Sequence, residues 1–330
     1  MQNDKEKFKK DESRKLKLSL IKALLDLFNQ GELLVNIMQK TKKILKMLKM
    51  KNQKEKSFTL LELLVVIAVI AILAAIVLVS LSSARQNAWE ARGLQFSQNI
   101  RTTLATDLVG EWTFDDSTNP GRDDSGNGNN CFKKPDDTTG PNSTQGKVRG
   151  ALEFNGSSQY LDCGDSGSLD VDKEISIEAW IYPKSPNLTY YRAIVAKYSQ
   201  SDNKRAYQLI VDEGYSTYLG QGTVQLWINP DGQNRDHVEA PAFSNKWQHI
   251  VGTYNGSMSI YVNGELKDKK NTTFDGIFIT DKPLRIGSDQ ILSRFFLGNI
   301  DEVRIYKRAL TAYEIKALYA EGKMRHLAGR

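Results

Sequence analysis

The chain has 330 residues and a formal charge of +6, but the charge is unevenly placed: residues 1–57 carry 16 Lys and Arg against 7 Asp and Glu, leaving 29 against 32 in residues 58–330. The net of +9 in the leader and −3 beyond it excludes the basic folded domain that nucleic-acid binding requires. Three scattered histidines, with no H-x-x-E-H or related spacing, offer no catalytic metal site, and no nucleotide, haem or redox cofactor motif is present.

Residues 1–57 read as a basic cytoplasmic leader. Leu16, Leu20, Leu24, Leu27 and Phe28 recur at helical spacing before a break at Asn29 to Gly31, so an amphipathic helix pair lying on a membrane is one reading. The stretch from Met50, MKNQKEKS, is by itself a short basic leader, which favours a translation start at Met50 or Met47.

An apolar run follows, long enough from Leu63 to Val79 to enter a bilayer core. The basic segment before it places the N-terminus in the cytoplasm and the rest of the chain outside. A secretory signal peptide shares this plan, but its apolar core is shorter, about 7 to 15 residues, and needs no acid inside it. Glu62 is such an acid, and burying its charge costs several kcal/mol unless something pairs with it.

Lys56, Ser57, Phe58, Thr59, Leu60, Leu61, Glu62, Leu63 and Leu64 together resemble the N-terminus of type IV pilins and of the pseudopilins of type II secretion. The resemblance implies cleavage by a prepilin peptidase between Ser57 and Phe58, methylation of the new N-terminus, and pairing of Glu62 with the Phe58 amine during assembly with other pilins or pseudopilins. The family has Gly before the cut, where this chain has Ser57.

Beyond Val79 the pattern stays helical to about Thr106, with Leu81, Ala84, Ala88, Ala91, Gln95, Ile100 and Leu104 near one stripe. The chain thus divides into a leader (1–57), the membrane and assembly part of a long helix (58–79), an exposed helical stalk (80–107), a domain (108–322) and a tail (323–330). The domain is a succession of short alternating runs: GEWTF, GALEFNG, YLDCG, ISIEAWIYP, AIVAKY, YQLIVD, VQLWIN, WQHIVGTY, MSIYVNGEL, LRIG and DEVRIYKRAL each predict a strand. Asn255-Gly256 and Asn263-Gly264 predict tight hairpins with positive φ at both central residues. These elements predict a mainly β, two-sheet antiparallel sandwich with a short C-terminal helix, opened by a Thr311/Glu314 capping box and a Leu310/Ile315 staple and stopped at Gly322.

The segments LVGEWTFDD, DDSGNGNN, GKVRGALEFNGSSQYLDCG, NKWQHIVGTYNGSMSIYVNGEL and FFLGNIDEVRIYKRALTAYEIKALY resemble the concanavalin A-like, laminin-G-type (LamG) jelly roll of bacterial surface proteins. The resemblance implies an exported binding domain whose ligand is a glycan or a surface protein. It also implies one Ca²⁺ near the sheet rim, for which Asp115, Asp123, Asn127, Asn129 and Asp301 are the candidate oxygen ligands; the same residue types also favour turns. Tyr190, Tyr191, Tyr215, Tyr218 and Phe295 fall in or beside loops and are candidates to stack on sugars, though such residues also pack loop undersides. Trp112, Trp180, Trp227 and Trp247 alternate with apolar residues and are expected in the core. His249 reads as a structural residue.

Glucanases share this architecture, and a glycoside hydrolase needs two carboxylates flanking the scissile bond. Simple alternation sends the adjacent Asp301 and Glu302 to opposite faces, and ISIEAWI offers only Glu178, so hydrolysis is not expected. Cys131 and Cys163, both in the exported domain, leave a disulfide and a free buried pair open. The sequence therefore points to a prepilin-like filament or pseudopilus subunit displaying an exported binding domain, with a membrane-anchored lectin that does not polymerise as the alternative.

Overall fold

A computed structural model describes residues 69–70, 91–92, 95–96, 98–184, 191–199, 202–212, 222–291 and 294–328, with side chains of the last helix to Arg325. The chain divides into two compact units, Met1–Val79 and Ser80–Arg330. Of the first unit only Val69 and Ile70 are described, and both are helical. Among the described residues no helix is long and apolar enough to cross a membrane. The expected membrane segment, with Ser57, Phe58 and Glu62, lies outside them.

The second unit is the expected sandwich. Its first sheet runs in the order β13 (Glu265–Asn271), β12 (Ser257–Val262), β11 (Gln248–Tyr254), β6 (Ile175–Pro183), β15 (Leu297–Tyr306), β4 (Gly150–Asn155) and β3 (Asn142–Gln145). The long β15 has two neighbours end to end on one side: β4 opposite Leu297 to Ile300, and β1 (Leu108–Trp112) opposite Val303 to Tyr306. The second sheet is β10 (Asp236–Ala242), β9 (Gly222–Ile228), β8 (Lys204–Asp212), β7 (Tyr191–Ser199), β14 (Leu284–Ile286), β5 (Tyr160–Asp162) and β2 (Phe132–Lys134). All pairings are antiparallel, so each strand turns alternate residues inward. Ile177, Ala179 and Ile181 of β6 meet Leu209, Val224 and Leu226 of the facing sheet in one buried cluster.

Two edge strands carry the marks of their position. β10 contains Pro241, which an edge strand tolerates because one side of its backbone has no ladder partner. β13, ELKDKKN, is exposed along most of its length, and its lysines guard a free edge against pairing with another chain.

The turns divide as well. Asn263 and Gly264 have φ of 54° and 79° between paired Val262 and Glu265, the expected two-residue hairpin. At the other turn only Gly256 has positive φ, at 82°, and the closing pair is Tyr254 and Met258. That is a three-residue loop with Gly at its left-handed position, so the expectation for Asn255 fails.

The C-terminal helix α1 (Ala312–Ala328) begins as expected. The Thr311 backbone N–H donates to Glu314 Oε2 at 2.8 Å, the Glu314 N–H donates to Thr311 Oγ1 at 3.3 Å, and Leu310 and Ile315 are buried together. It does not stop at Gly322. A Cβ there would stand 2.7 to 2.9 Å from the Trp180 ring, so the glycine permits close approach of the helix to the sheet. α1 and the helical segment 98–104 cover the outer face of the first sheet, where Leu104, Val251, Tyr261, Tyr306, Ile315 and Leu318 form a second apolar cluster.

Cys131 and Cys163 are disulfide-bonded. They extend the β2 and β5 pairing, in which Phe132 faces Asp162, by one position.

Candidate functional site

The sandwich presents two outer faces with opposite chemistry. On the first sheet a bulge decides the layout. Asp301 pairs with Trp180 but Arg304 pairs with Glu178, so β15 carries one extra residue, and Glu302 takes a φ of 49°. Ile300 and Val303 both enter the core, so Asp301 and Glu302 both lie on the outer face. This corrects the expectation that alternation separates them.

Both acids are buried beneath α1 and belong to a charge network. Arg304 donates to Glu111 at 2.8 Å, to Glu178 at 3.2 Å and to Glu302. Arg325 reaches both Glu302 oxygens at 2.9 Å, and Arg101 approaches Glu111, Glu302 and Glu321 at 3.1, 3.7 and 3.3 Å. Burial and the neighbouring Glu302 hold the Asp301 pKa well above the usual carboxylate range. Burial also raises Glu302, against the pull of Arg304, Arg325 and Arg101. Glu178 is held low despite its burial by Arg304 and by His249, whose Nε2 lies 2.8 Å away. His249 is thus the structural residue expected. Trp180, stacked near His249 and Tyr319, lies under α1, outside the inter-sheet core, and Trp247 is only half-buried; of the four expected core tryptophans, Trp112 is the one in the inter-sheet core.

The five oxygen residues proposed for calcium fall in two places. Asp123 accepts backbone N–H groups from Glu111, Ser125 and Asn129, while the Asn127 and Asn129 amides donate to backbone carbonyls of β1. Asp115 and Asp301 accept the Gly150 and Val148 N–H groups, and Arg325 stands 3.6 Å from Asp115 as the local positive charge. Among the described residues no three His, Cys, Asp or Glu side chains converge to hold a metal ion.

The outer face of the second sheet has a different composition. The strand registers align Asp162, Arg285, Ala196, Gln208, Trp227 and His237 in one transverse row across β5, β14, β7, β8, β9 and β10. A second row holds Ala193, Ile210, Gln225 and Glu239, and a third Tyr191, Asp212 and Thr223. The floor of small, amide and aromatic residues is buried, while Arg205, Arg235, His237 and Tyr191 on its margins are half-buried or exposed.

Two glutamines on neighbouring strands make a contrast. Gln225 is fully engaged: its Nε2 donates to Thr223 and Glu239 at 3.1 and 3.2 Å, and its Oε1 accepts from Trp227 Nε1 at 2.8 Å. Gln208, one strand away, has neither amide atom paired. A buried amide left so costs about 1 to 3 kcal/mol per group, which marks the spot as one where stability is not the governing demand.

Of the aromatic candidates, Tyr191 meets the edge of Trp227 at 6.1 Å and has Arg294 over its ring at 5.0 Å, on this face. Phe295 packs against Tyr160 at 6.1 Å and is buried. Tyr190, Tyr215 and Tyr218 lie outside the described residues. Sequence reasoning missed Gln208, Arg205 and Arg235. Alternation in YQLIVD does turn Gln208 away from Tyr207 and Leu209, a signal that was available; Arg205 is turned outward by a bulge at Ala206, which pattern alone does not show.

Residues 155–316 match the concanavalin A-like lectin/glucanases superfamily, and residues 52–78 match the prokaryotic N-terminal methylation motif. The chain joins a prepilin-type methylation motif to a laminin-G-type, concanavalin A-like domain. Similar solved structures include domain 4 of AbnA, a GH43 extracellular arabinanase from Geobacillus stearothermophilus, in complex with arabinotriose: 21% identity, TM-score 0.50, covering 64% of this chain and 98% of that one. The botulinum neurotoxin serotype D ligand-binding domain in complex with N-acetylneuraminic acid matches at 16% identity and TM-score 0.52, over 67% of this chain and 52% of that one. The binding domain of Paraclostridial Mosquitocidal Protein 1 matches at 18% and 0.51, over 66% and 52%. These likenesses are of fold; no curated protein sequence matches the chain.

Proposed function

We propose that the protein is a prepilin-like subunit that is processed at the membrane and displays a carbohydrate-binding domain outside the cell. The observation that carries this reading is the contrast in composition between the outer sides of the sandwich: apolar and charged groups under the chain's own helices on the first sheet, and on the second a buried floor of amide and aromatic side chains edged by arginines. The prepilin-type motif supplies the means of export and anchoring. On this reading the peptidase cuts between Ser57 and Phe58, Glu62 pairs with the freed Phe58 amine, and packing with other pilins or pseudopilins draws the subunit from the membrane into a filament or pseudopilus. Tyr190, Tyr215 and Tyr218 join Tyr191 as ligand-stacking candidates. The domain acts by binding; on the first sheet's outer face Glu111, Glu178 and Glu302 are committed to arginines under α1.

Ser57 in place of Gly before the cut favours a second reading, a membrane-anchored lectin that never polymerises. The N-terminal mass of protein recovered from membranes separates the two: methylated Phe58 is expected, and a chain that still begins at Met1 or Met50 gives the anchored lectin the lead. A glycan array with the purified full chain tests the binding function, and silence across it, with a protein captured instead, overturns the carbohydrate assignment.

A further inference from the structure

At one corner of the second sheet's outer face, where β7, β8 and the turn before β10 meet, two arginines converge on two aromatic rings. Arg205 pairs across strands with Tyr198, and its guanidinium carbon lies 5.7 Å from that ring's centre. Its Nη1 donates to the Gln233 carbonyl at 2.7 Å, and its Nε is buried with no partner. Arg235 is exposed; its Nη1 lies 3.4 Å from the Tyr198 hydroxyl and its guanidinium stands 4.1 Å from the centre of the Trp227 ring. His237 stacks on the same indole at 4.5 Å and 14°.

Among the described residues neither arginine has a carboxylate partner. Arg122, Arg149, Arg285, Arg294, Arg304 and Arg308 each make an ion pair. The acids nearest in the chain are committed elsewhere. Asp231 accepts from Gln233, Asn234 and the Asn234 amide, Asp236 pairs with Lys270, and Asp281 pairs with Lys204. Packing on an aromatic ring accounts for the place of Arg235, but it does not account for two like charges gathered around Tyr198, one of them with a buried, unpartnered Nε. Guanidinium groups match the paired oxygens of a carboxylate or sulfate.

We propose that Arg205, Arg235 and His237 form a site for the anionic group, a carboxylate or a sulfate, of an acidic saccharide. The inference rests on the carbohydrate-binding reading above and gives that face a charge specificity. The turn 230–235 and the half-buried Arg205 leave the corner open to solvent, whereas the floor around Gln208 is closed.

The test is calorimetric titration of the full chain in detergent micelles with lactose, 3′-sialyllactose and 3′-sulfolactose, and with free glucuronate and sulfate as minimal probes. At least one charged trisaccharide or sulfated sugar is expected to bind about tenfold or more tightly than lactose, with the gap narrowing as salt rises. Arg205→Gln with Arg235→Gln removes that preference, and the Arg→Lys pair retains part of it. Which charged probe binds separates carboxylate from sulfate. Equal binding of charged and neutral sugars, a preference that survives both glutamines, or no binding by any charged probe overturns the site. Charged minimal probes that bind in an arginine-dependent way while every saccharide fails uphold the anion site and sink the carbohydrate reading instead.

Discussion

Replacing Asp301 by Asn should change the pH dependence of stability more than stability itself. The Asp301 carboxyl is buried, accepts the Val148 N–H at 2.8 Å through Oδ2, and leaves Oδ1 without a partner. Burial, then the charge of Glu302, raises its pKa well above the usual value, so the folded chain holds a proton that the unfolded chain releases. The stability contributed by that proton is complete below the ordinary carboxylate range and is lost as pH rises toward the raised value. Across that window the slope is about −1.4 kcal/mol per pH unit, or about 3 °C of Tm per unit for a domain of this size. Asn keeps the acceptor for Val148 and has no proton to lose. The melting temperatures of the two proteins, followed by circular dichroism between pH 5 and 7, should therefore diverge by about 3 °C per unit, with the variant gaining as pH rises. Parallel curves over that range would refute the assignment of the proton to Asp301.

Other consequences are simpler to read. Glu302→Gln leaves Arg304 and Arg325 short of a buried counter-charge and should cost about 3 to 5 kcal/mol in denaturant unfolding, far more than Asp301→Asn. Gly322→Ala gains about 1 kcal/mol of helix propensity but drives a methyl against the Trp180 ring, so a net loss of about 1 to 3 kcal/mol is expected by the same method. Reducing the Cys131–Cys163 bond, which closes a separation of 32 residues, should lower stability by about 3 to 4 kcal/mol, measured as the shift of the denaturant midpoint with and without reductant. Thr311→Ala removes one half of the capping box and should cost about 1 kcal/mol.

The strands that face a core on one side were legible because their alternation is a direct imprint of burial: ISIEAWIYP, YQLIVD and VQLWIN lie where the pattern put them. β13 was not, since an edge strand is held by its neighbour's backbone and its exposed side chains stay free to be Lys or Asp, and in β10 Pro241 and the small Ala240 and Ala242 mask an alternation that the structure shows. Period-two reasoning also fails wherever a bulge inserts a residue. At Glu302 it hid the acid pair on one face, and at Ala206 it hid the outward turn of Arg205. Trp180 was misplaced for another reason. Alternation tells which residues share a face, but only the tertiary structure shows that α1 makes the outer face of the first sheet a second interior. Gly322 misleads in the same way, because a glycine kept for close packing looks in sequence like one that ends a helix.

That second interior ties the helical segment 98–104 to the sheet. Ile100 and Leu104 share the apolar cluster beneath α1, and Arg101 reaches acids on β1, β15 and α1 at once. A residue that bridges three elements cannot leave without exposing buried carboxylates on each, so segment 98–104 opens together with the sheet, not before it. The second sheet's face therefore holds a fixed orientation to segment 98–104. Arg101→Gln should loosen this join, raising hydrogen exchange in 98–104 and α1 while leaving β7, β8 and β9 protected; uniform loss of protection across the sandwich would show instead that the network stabilises the whole fold and sets no local seat.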